Sequence, residues 1–239
     1  MGLFDFFKRK KKDEAAETQS VAAQTETSTV QDDDDSAPGW EAIDAAFQQL
    51  YPNQTNPKHY GTVVSYRFGG PDPLDGISVY DAGDFWHFVS YGLSDLYEKE
   101  TDDPDYSGFG LEFTFKLKKA GLADEEEEIR GVCATLQKLA RYTFQTGNII
   151  FPVEYIYTRQ TTGIDVGQQS KLTGFITEQD DLVGPIDTPF GRVTFVTLIG
   201  TTDAELKHIN ESDQSKLEIQ KLLDQLGTQV TDYDRESIQ

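Results

Sequence analysis

Apolar positions recur with two different periods along this chain, and each change of period marks a predicted element. Trp40, Ile43, Phe47 and Leu50 fall at helical spacing, and Pro52 closes that segment. From Tyr60 to Phe68 the period shortens: Val64, Tyr66 and Phe68 alternate with Ser65 and Arg67, which predicts a strand. Gly69 to Gly76, reading GGPDPLDG, is a turn cluster. Ile77 and Val79, then Phe85, Trp86, Phe88, Val89 and Tyr91, predict two strands about a turn at Gly83. Polar residues 98–107 predict a loop. Leu111, Phe113, Phe115 and Leu117 alternate with Glu112, Thr114 and Lys116, the pattern of a half-buried strand.

Asp124 to Glu128 place negative charge where a helix begins, which the helix dipole favours. Ile129, Val132, Cys133, Leu136, Leu139 and Ala140 continue as an apolar stripe, and Gly147 lies just beyond it. Val153, Tyr155 and Tyr157 predict a strand, 161–170 a loop, and 172–177 and 193–199 two more strands. A short helix over 203–211, a helix carrying Ile219, Leu222, Leu223 and Leu226, and a short segment around Val230, read as a last strand, complete the series. Strands and helices do not alternate strictly, which predicts an α+β fold with a mixed or antiparallel sheet and packed helices.

The N-terminal part differs. Residues 1–12, MGLFDFFKRKKK, set Leu3, Phe4 and Phe7 on one helical face beside five consecutive basic residues, a pattern suited to weak contact with a membrane surface. Residues 13–37 have no hydrophobic period and end in the run Asp32–Asp35, the composition of a disordered acidic linker. The folded domain is expected over 38–239.

With 42 acidic and 21 basic residues, the net charge is −21. Such a surface repels a phosphate backbone, which argues against nucleic acid, and favours a basic partner. The single cysteine, Cys133, permits no internal disulfide and suits a reducing compartment, so the cytoplasm is the expected location, with contact at a membrane periphery through 1–12.

A search for chemistry returns no active site. His59, His87 and His208 stand far apart without a ligand or acid–base motif, so no metal and no cofactor are expected. Cys133 sits on the apolar stripe, where a thiol is a packing residue. Ser94 lies in GLSD, not in GxSxG. The expectation is a non-enzymatic protein-binding molecule, with a membrane-surface adaptor or an enzyme of unrecognised chemistry as alternatives.

Several segments together resemble the suppressor of fused family. They are LYP at 50–52, GGPDPLD at 69–75, WHFVSYGLSDLY at 86–97, SGFG at 107–110, LARY at 139–142 with Phe144 and Gln145, and TPFG at 188–191. The resemblance implies the α+β fold of that family's N-terminal domain. It assigns Gly69, Gly70, Pro71, Asp72, Pro73, Asp75, Trp86, Asp95, Pro189, Phe190 and Gly191 to architecture. Animal members retain a transcription factor by gripping a peptide that adds as a strand between two domains. This chain matches the N-terminal domain alone. On the family's pattern the peptide-contacting tyrosine falls on Tyr142 and an acidic contact on Glu154. An exposed aromatic–aliphatic pair falls on Arg67 and Phe68, with altered character. A one-domain form resembles the bacterial branch, which implies an immunity protein whose partner is a toxin domain or a strand-like peptide.

Overall fold

The computed structural model describes residues 36–238, so segment 1–12, its expected surface contact and nearly all of the 13–37 linker lie outside the described residues. The strands are β1 (Lys58–Gly61), β2 (Gly76–Asp81), β3 (Phe85–Tyr91), β4 (Tyr106–Lys118), β5 (Tyr155–Ile156), β6 (Leu172–Gln179), β7 (Ile186–Thr188) and β8 (Gly191–Thr202). They form one sheet in the order β1-β2-β3-β4-β8-β6-β5, with β7 paired to β8. Only β4 and β8 run parallel; every other pairing is antiparallel. The helices are α1 (Pro38–Leu50), α2 (Glu125–Thr146), α3 (Asp203–Glu211) and α4 (Ser215–Leu226). This is the mixed α+β sheet that the alternation of periods predicts.

Because side chains alternate across a strand, each strand feeds two cores. Ile77 and Val79 of β2, Phe88 of β3, Phe113 and Phe115 of β4 and Val196 of β8 pack with Ile129, Val132, Leu136 and Ala140 of α2. The opposite parity, Tyr80, Val89, Tyr91 and Phe195, packs with Ile43 and Phe47 of α1. Farther along that face Ile176 and Ile199 meet Ile209 of α3 and Ile219 and Leu222 of α4. The starts of α2 and α3 are capped as their sequences ask. Asp124 accepts from the Glu127 amide, and Thr202 and Glu205 form a reciprocal capping box.

Four expectations are corrected. The strand over 60–68 is only β1, Lys58–Gly61; Tyr66–Phe68 is a 3₁₀ turn. The last β1 pair joins Gly61 to Gly76, after which no strand lies alongside to hydrogen-bond residues 62–68. The loop tightens there, and a Cβ on Gly70 would meet the Val64 carbonyl at 1.9 Å. β4 is not half-buried: Glu112, Thr114 and Lys116 are as buried as their apolar neighbours. The strand around 153–157 shrinks to Tyr155–Ile156. Near Val230 a single parallel bridge, Leu117 to Thr231, replaces a strand.

Thr114 and Lys116 of β4 belong to a buried polar network beneath the face shared by α1, α3 and α4. Asp180 sits at its centre. One carboxylate oxygen faces Lys116 at 3.0 Å and accepts from the amides of Leu182 and Val183 at 2.9 and 3.2 Å. The other accepts from His87 Nε2 at 3.0 Å, Thr114 Oγ1 at 2.7 Å and Thr197 Oγ1 at 2.8 Å. Tyr51 donates to His87 Nδ1 at 2.8 Å, which fixes the neutral tautomer with its proton on Nε2. Desolvation holds His87 below its ordinary pKa. Burial alone would raise the Asp180 carboxyl, but the contacts from His87, Lys116 and Thr114 outweigh it and keep that carboxyl well below the usual range.

Candidate functional site

The last turns of α2 and the segment after them form the face that the family pattern singles out. The apolar stripe of α2 turns Leu136 and Ala140 into the core, and Tyr142, two residues beyond Ala140, points away from it and is 46% exposed. Gly147, with φ +73°, ends the helix in the left-handed conformation that glycine tolerates. Asn148 then folds back, and its side-chain amide donates to Tyr142 Oη at 2.9 Å. The chain continues through buried Ile150 and exposed Phe151 to Glu154 and β5.

Glu154 is held rather than free. Its carboxylate accepts from the Phe151 amide at 3.1 Å, and its own amide donates to Thr177 Oγ1 at 3.0 Å. Thr177 in turn donates to the Phe151 carbonyl at 2.7 Å. The hook so formed includes Val153 at φ +61°, a conformation β-branched residues rarely adopt. Such strain costs on the order of 1–3 kcal/mol and clusters at functional segments. β5 pairs with β6 and ends the sheet order, so its outer side is an edge among the described strands. Tyr142 itself is on a helix, and the chain that links it to the β5 edge is 147–154.

Phe68 is on a different element, the 3₁₀ turn, and is 78% exposed. Tyr66 of that turn meets Phe144 of α2 edge-on at 5.0 Å, so the loop and the helix share a border. Arg67 lies over the Phe68 and Tyr97 rings, at 5.8 and 5.2 Å.

The turn motifs are architecture. Gln137 of α2 brackets Leu74, accepting from its amide at 3.2 Å and donating to its carbonyl at 2.8 Å, and Arg141 pairs with Asp72 at 2.8 Å. Asp75 accepts from Ser65 at 2.5 Å. GGPDPLD therefore ties α2 to the sheet. Asp95 caps no helix; it accepts from the Gly108 amide at 2.9 Å and from Thr101 at 3.2 Å, clamping the GLSD turn to β4. Pro189 and Phe190 are the two-residue tip between Thr188 and Gly191, which pair across the β7–β8 hairpin. Gly191, at φ +117°, leaves room for no Cβ, which would meet the Tyr106 backbone at 2.7 Å. Trp86 is nearly buried, with Lys119 Nζ 3.9 Å above its ring.

Sequence reasoning missed Phe151 and Val153. Ile149-Ile150-Phe151 reads as an apolar run without period, and only the turn imposed by Pro152 hints that Phe151 faces out.

The profile of a family described as "Suppressor of fused protein (SUFU)" matches residues 70–236. The human and mouse proteins named "Suppressor of fused homolog" are 34% identical to this chain over 183 residues, which is 70% of this chain and 36% of theirs. The chain thus spans about a third of the length of those relatives. A structure titled "the Sufu-Fu complex crystal structure" superposes with a TM-score of 0.73 at 33% identity, over 84% of this chain and 92% of that one. Drosophila Suppressor of Fused gives the same score and identity, over 84% of this chain and 51% of its own. A Neisseria gonorrhoeae homologue, at 15% identity, has a TM-score of 0.55 over 84% of this chain and 96% of its own, and shares the fold. The turn motifs, the sheet they tie to α2 and these likenesses agree, and the chain belongs to the suppressor of fused family.

Proposed function

We propose that this domain binds an extended segment of another polypeptide along the last turn of α2, the hook 147–154 and the outer edge of β5. Tyr142 is the aromatic anchor and Glu154 the acidic contact. The observation that carries the reading is the exposed Tyr142 joined, through a strained and tightly hydrogen-bonded hook, to a sheet edge. A sheet edge gives a peptide main-chain hydrogen bonds, and an exposed tyrosine gives it a specific side-chain contact. That a relative was crystallised as a Sufu–Fu complex supports a polypeptide as the partner class. The net charge of −21 favours a basic segment. The toxin expected from the bacterial branch has no counterpart among these relatives, so the partner is defined by its chemistry.

Binding without catalysis fits the titratable groups. Both nitrogens of His87 are engaged in the core. Burial pushes the Cys133 thiol up to about 12, far from a reactive thiolate. A surface cavity of about 270 Å³ beside Trp40, Asp44 and His59 is lined by neither His87 nor Cys133.

The test is affinity purification of the tagged full chain from its native cell, beside Tyr142→Ala and Glu154→Lys. One enriched polypeptide is expected, weakened about 10-fold or more by Tyr142→Ala, the size of an interface hot spot. Equal recovery with both variants removes this face from the binding site.

A further inference from the structure

A cavity of about 270 Å³ opens on the α1 face of the sheet, at the β1 edge and so at the opposite end of the strand order from β5. The residues that line it follow from the period of each element. Trp40, Asp44 and Gln48 recur every four residues and form one row along α1, beside the buried Ile43 and Phe47. Ser78 and Tyr80 are alternate residues of β2, on the face opposite Ile77 and Val79. His59 of β1 pairs in register with Ser78, and its Nδ1 hydrogen-bonds with Ser78 Oγ at 3.1 Å.

The walls are aromatic and fixed. Trp40 stacks on Tyr91 with ring centroids 4.1 Å apart and meets the His59 ring at 5.4 Å. Gly76 permits that approach, since a Cβ there would meet His59 Cε1 at 2.4 Å and Trp40 Cη2 at 3.1 Å. The loop between α1 and β1 closes the cavity and is anchored by Gln54. That side chain accepts from the Asp81 amide at 2.8 Å and donates to the Asp81 carbonyl at 2.7 Å. A site ordered in advance loses little freedom when a ligand enters.

The charge is one-sided. Asp44 Oδ1 accepts from the Tyr91 hydroxyl at 2.7 Å, and no Lys or Arg among the described residues pairs with this carboxylate. Lys58, the neighbour of His59, is turned to the other side of the sheet, where it pairs with Glu126 of α2 at 3.1 Å and lies over the Trp86 ring. Desolvation outweighs the Asp44 charge and holds His59 below its ordinary pKa, so near pH 7 that ring supplies no positive charge either.

What results is an uncompensated carboxylate beside aromatic faces, in a space smaller than drug-sized ligands use. An aromatic face attracts a cation through its quadrupole, and a carboxylate accepts the N–H groups that the cation carries. We propose that this cavity binds an organic cation, a guanidinium or primary ammonium on a short alkyl chain, with its N–H groups on Asp44 and its charge against the Trp40 ring. A free amine offers that chemistry, and so does an arginine or lysine side chain of a polypeptide. The site shares no residue with the Tyr142 face and does not depend on it.

Amide shifts of the full chain, followed by NMR during titration with butylguanidinium and with its neutral counterpart N-butylurea, test the assignment. Butylguanidinium is expected to shift residues 40–48, 54–59 and 78–80 with a Kd on the order of 1 mM, a range open to so small a ligand. N-butylurea should bind about 10-fold more weakly, having no charge for the carboxylate or the rings. Asp44→Asn keeps an oxygen for Tyr91 and removes the charge, and should weaken butylguanidinium about 10-fold. Glu41→Gln removes the same charge from α1 outside the cavity lining and should change binding by less than about twofold. An acetylated and amidated Gly-Arg-Gly peptide that shifts the same residues supports the site and assigns its cation to a polypeptide side chain. Shifts from butylguanidinium alone support the site and assign it to a free small molecule. Equal binding of butylguanidinium and N-butylurea, equal losses in Asp44→Asn and Glu41→Gln, or no shift of these residues up to about 20 mM butylguanidinium overturns the proposal.

Discussion

Replacing Asp180 with alanine is expected to cost about 3–5 kcal/mol, the penalty for removing one partner of a buried ion pair. Lys116, 1% exposed, would keep only Asp181 and Gln229. His87, Thr114 and Thr197 would lose the oxygen to which all three donate. The amides of Leu182 and Val183 would also lose their acceptor, freeing the loop that brings Val183 into the α1 core. For a chain of this size the melting temperature should fall by about 10 °C or more. Adding Lys116→Met should recover only the part of the loss that comes from the Lys116 charge, because the five other donors to Asp180 stay without their acceptor. Thermal unfolding of the two single variants and the double variant gives the coupling. A loss under about 1 kcal/mol in Asp180→Ala would show that the network does not hold the centre of the sheet.

Acid should act on the same network with a definite sign. His87 is held neutral below its ordinary pKa, so as pH falls below about 6.5 the unfolded chain takes up a proton that the folded one refuses. Asp180, with its carboxyl depressed, contributes stability that is present above the unfolded value and is lost only as pH falls through the folded one.

Glu112 should show the opposite dependence. It is fully buried, and one oxygen accepts from the amides of Gly92, Leu93 and Ser94 and from Ser94 Oγ, at 2.7–3.1 Å. The other oxygen accepts from Ser90 Oγ at 2.5 Å. Desolvation nonetheless pushes the carboxyl up to about 7, against the pull of these donors. A raised folded pKa means that the contribution is complete below the unfolded value, near 4.5, and is lost as pH rises through about 7. Glu112→Gln keeps an oxygen for the three amides and turns its NH₂ toward Ser90, whose hydroxyl also accepts from the Phe113 amide at 2.8 Å. It is expected to remain within about 1 kcal/mol of the unaltered chain near pH 7, since both partners of each hydrogen bond survive. Its stability should be flatter between pH 5 and 8. Glu112→Ala leaves three amides, two of them buried, and two hydroxyls without an acceptor and is expected to cost about 3 kcal/mol or more. Urea unfolding across that pH range separates the two variants. An unchanged pH slope in Glu112→Gln would show that Glu112 does not titrate there.

How far the fold was legible can be followed residue by residue. The stripe of α2, the apolar run of β3, the alternation in β4 and the helix end at Gly147 follow from local period and backbone freedom, and the structure places them there. The 60–68 segment carries an equally regular alternation and is not a strand, because a strand needs a neighbour and none runs beside it beyond Gly61. The motif residues carried the family, since GGPDPLD and GLSD require glycines and aspartates for contacts that no other residues make. Tyr142 was legible only through that likeness. Nothing local in LARYTFQ distinguishes an exposed helix tyrosine from a core one, and the exposed, strained hook beyond it appears only when 147–154 folds onto Thr177.

The sequence by itself determined the principal helices and the long central strands with their order, the acidic character of the domain and its family, because these depend on local spacing, backbone preference and composition. Only the tertiary structure decided where the polar half of β4 goes. Alternation says that Glu112, Thr114 and Lys116 share one face of the strand, and in isolation that face reads as solvent. It is buried because Asp180, His87, Thr197 and the GLSD amides arrive from strands and turns remote in the chain and satisfy every one of those groups. A buried polar group is stable only with its partners, and the partners are chosen by the fold.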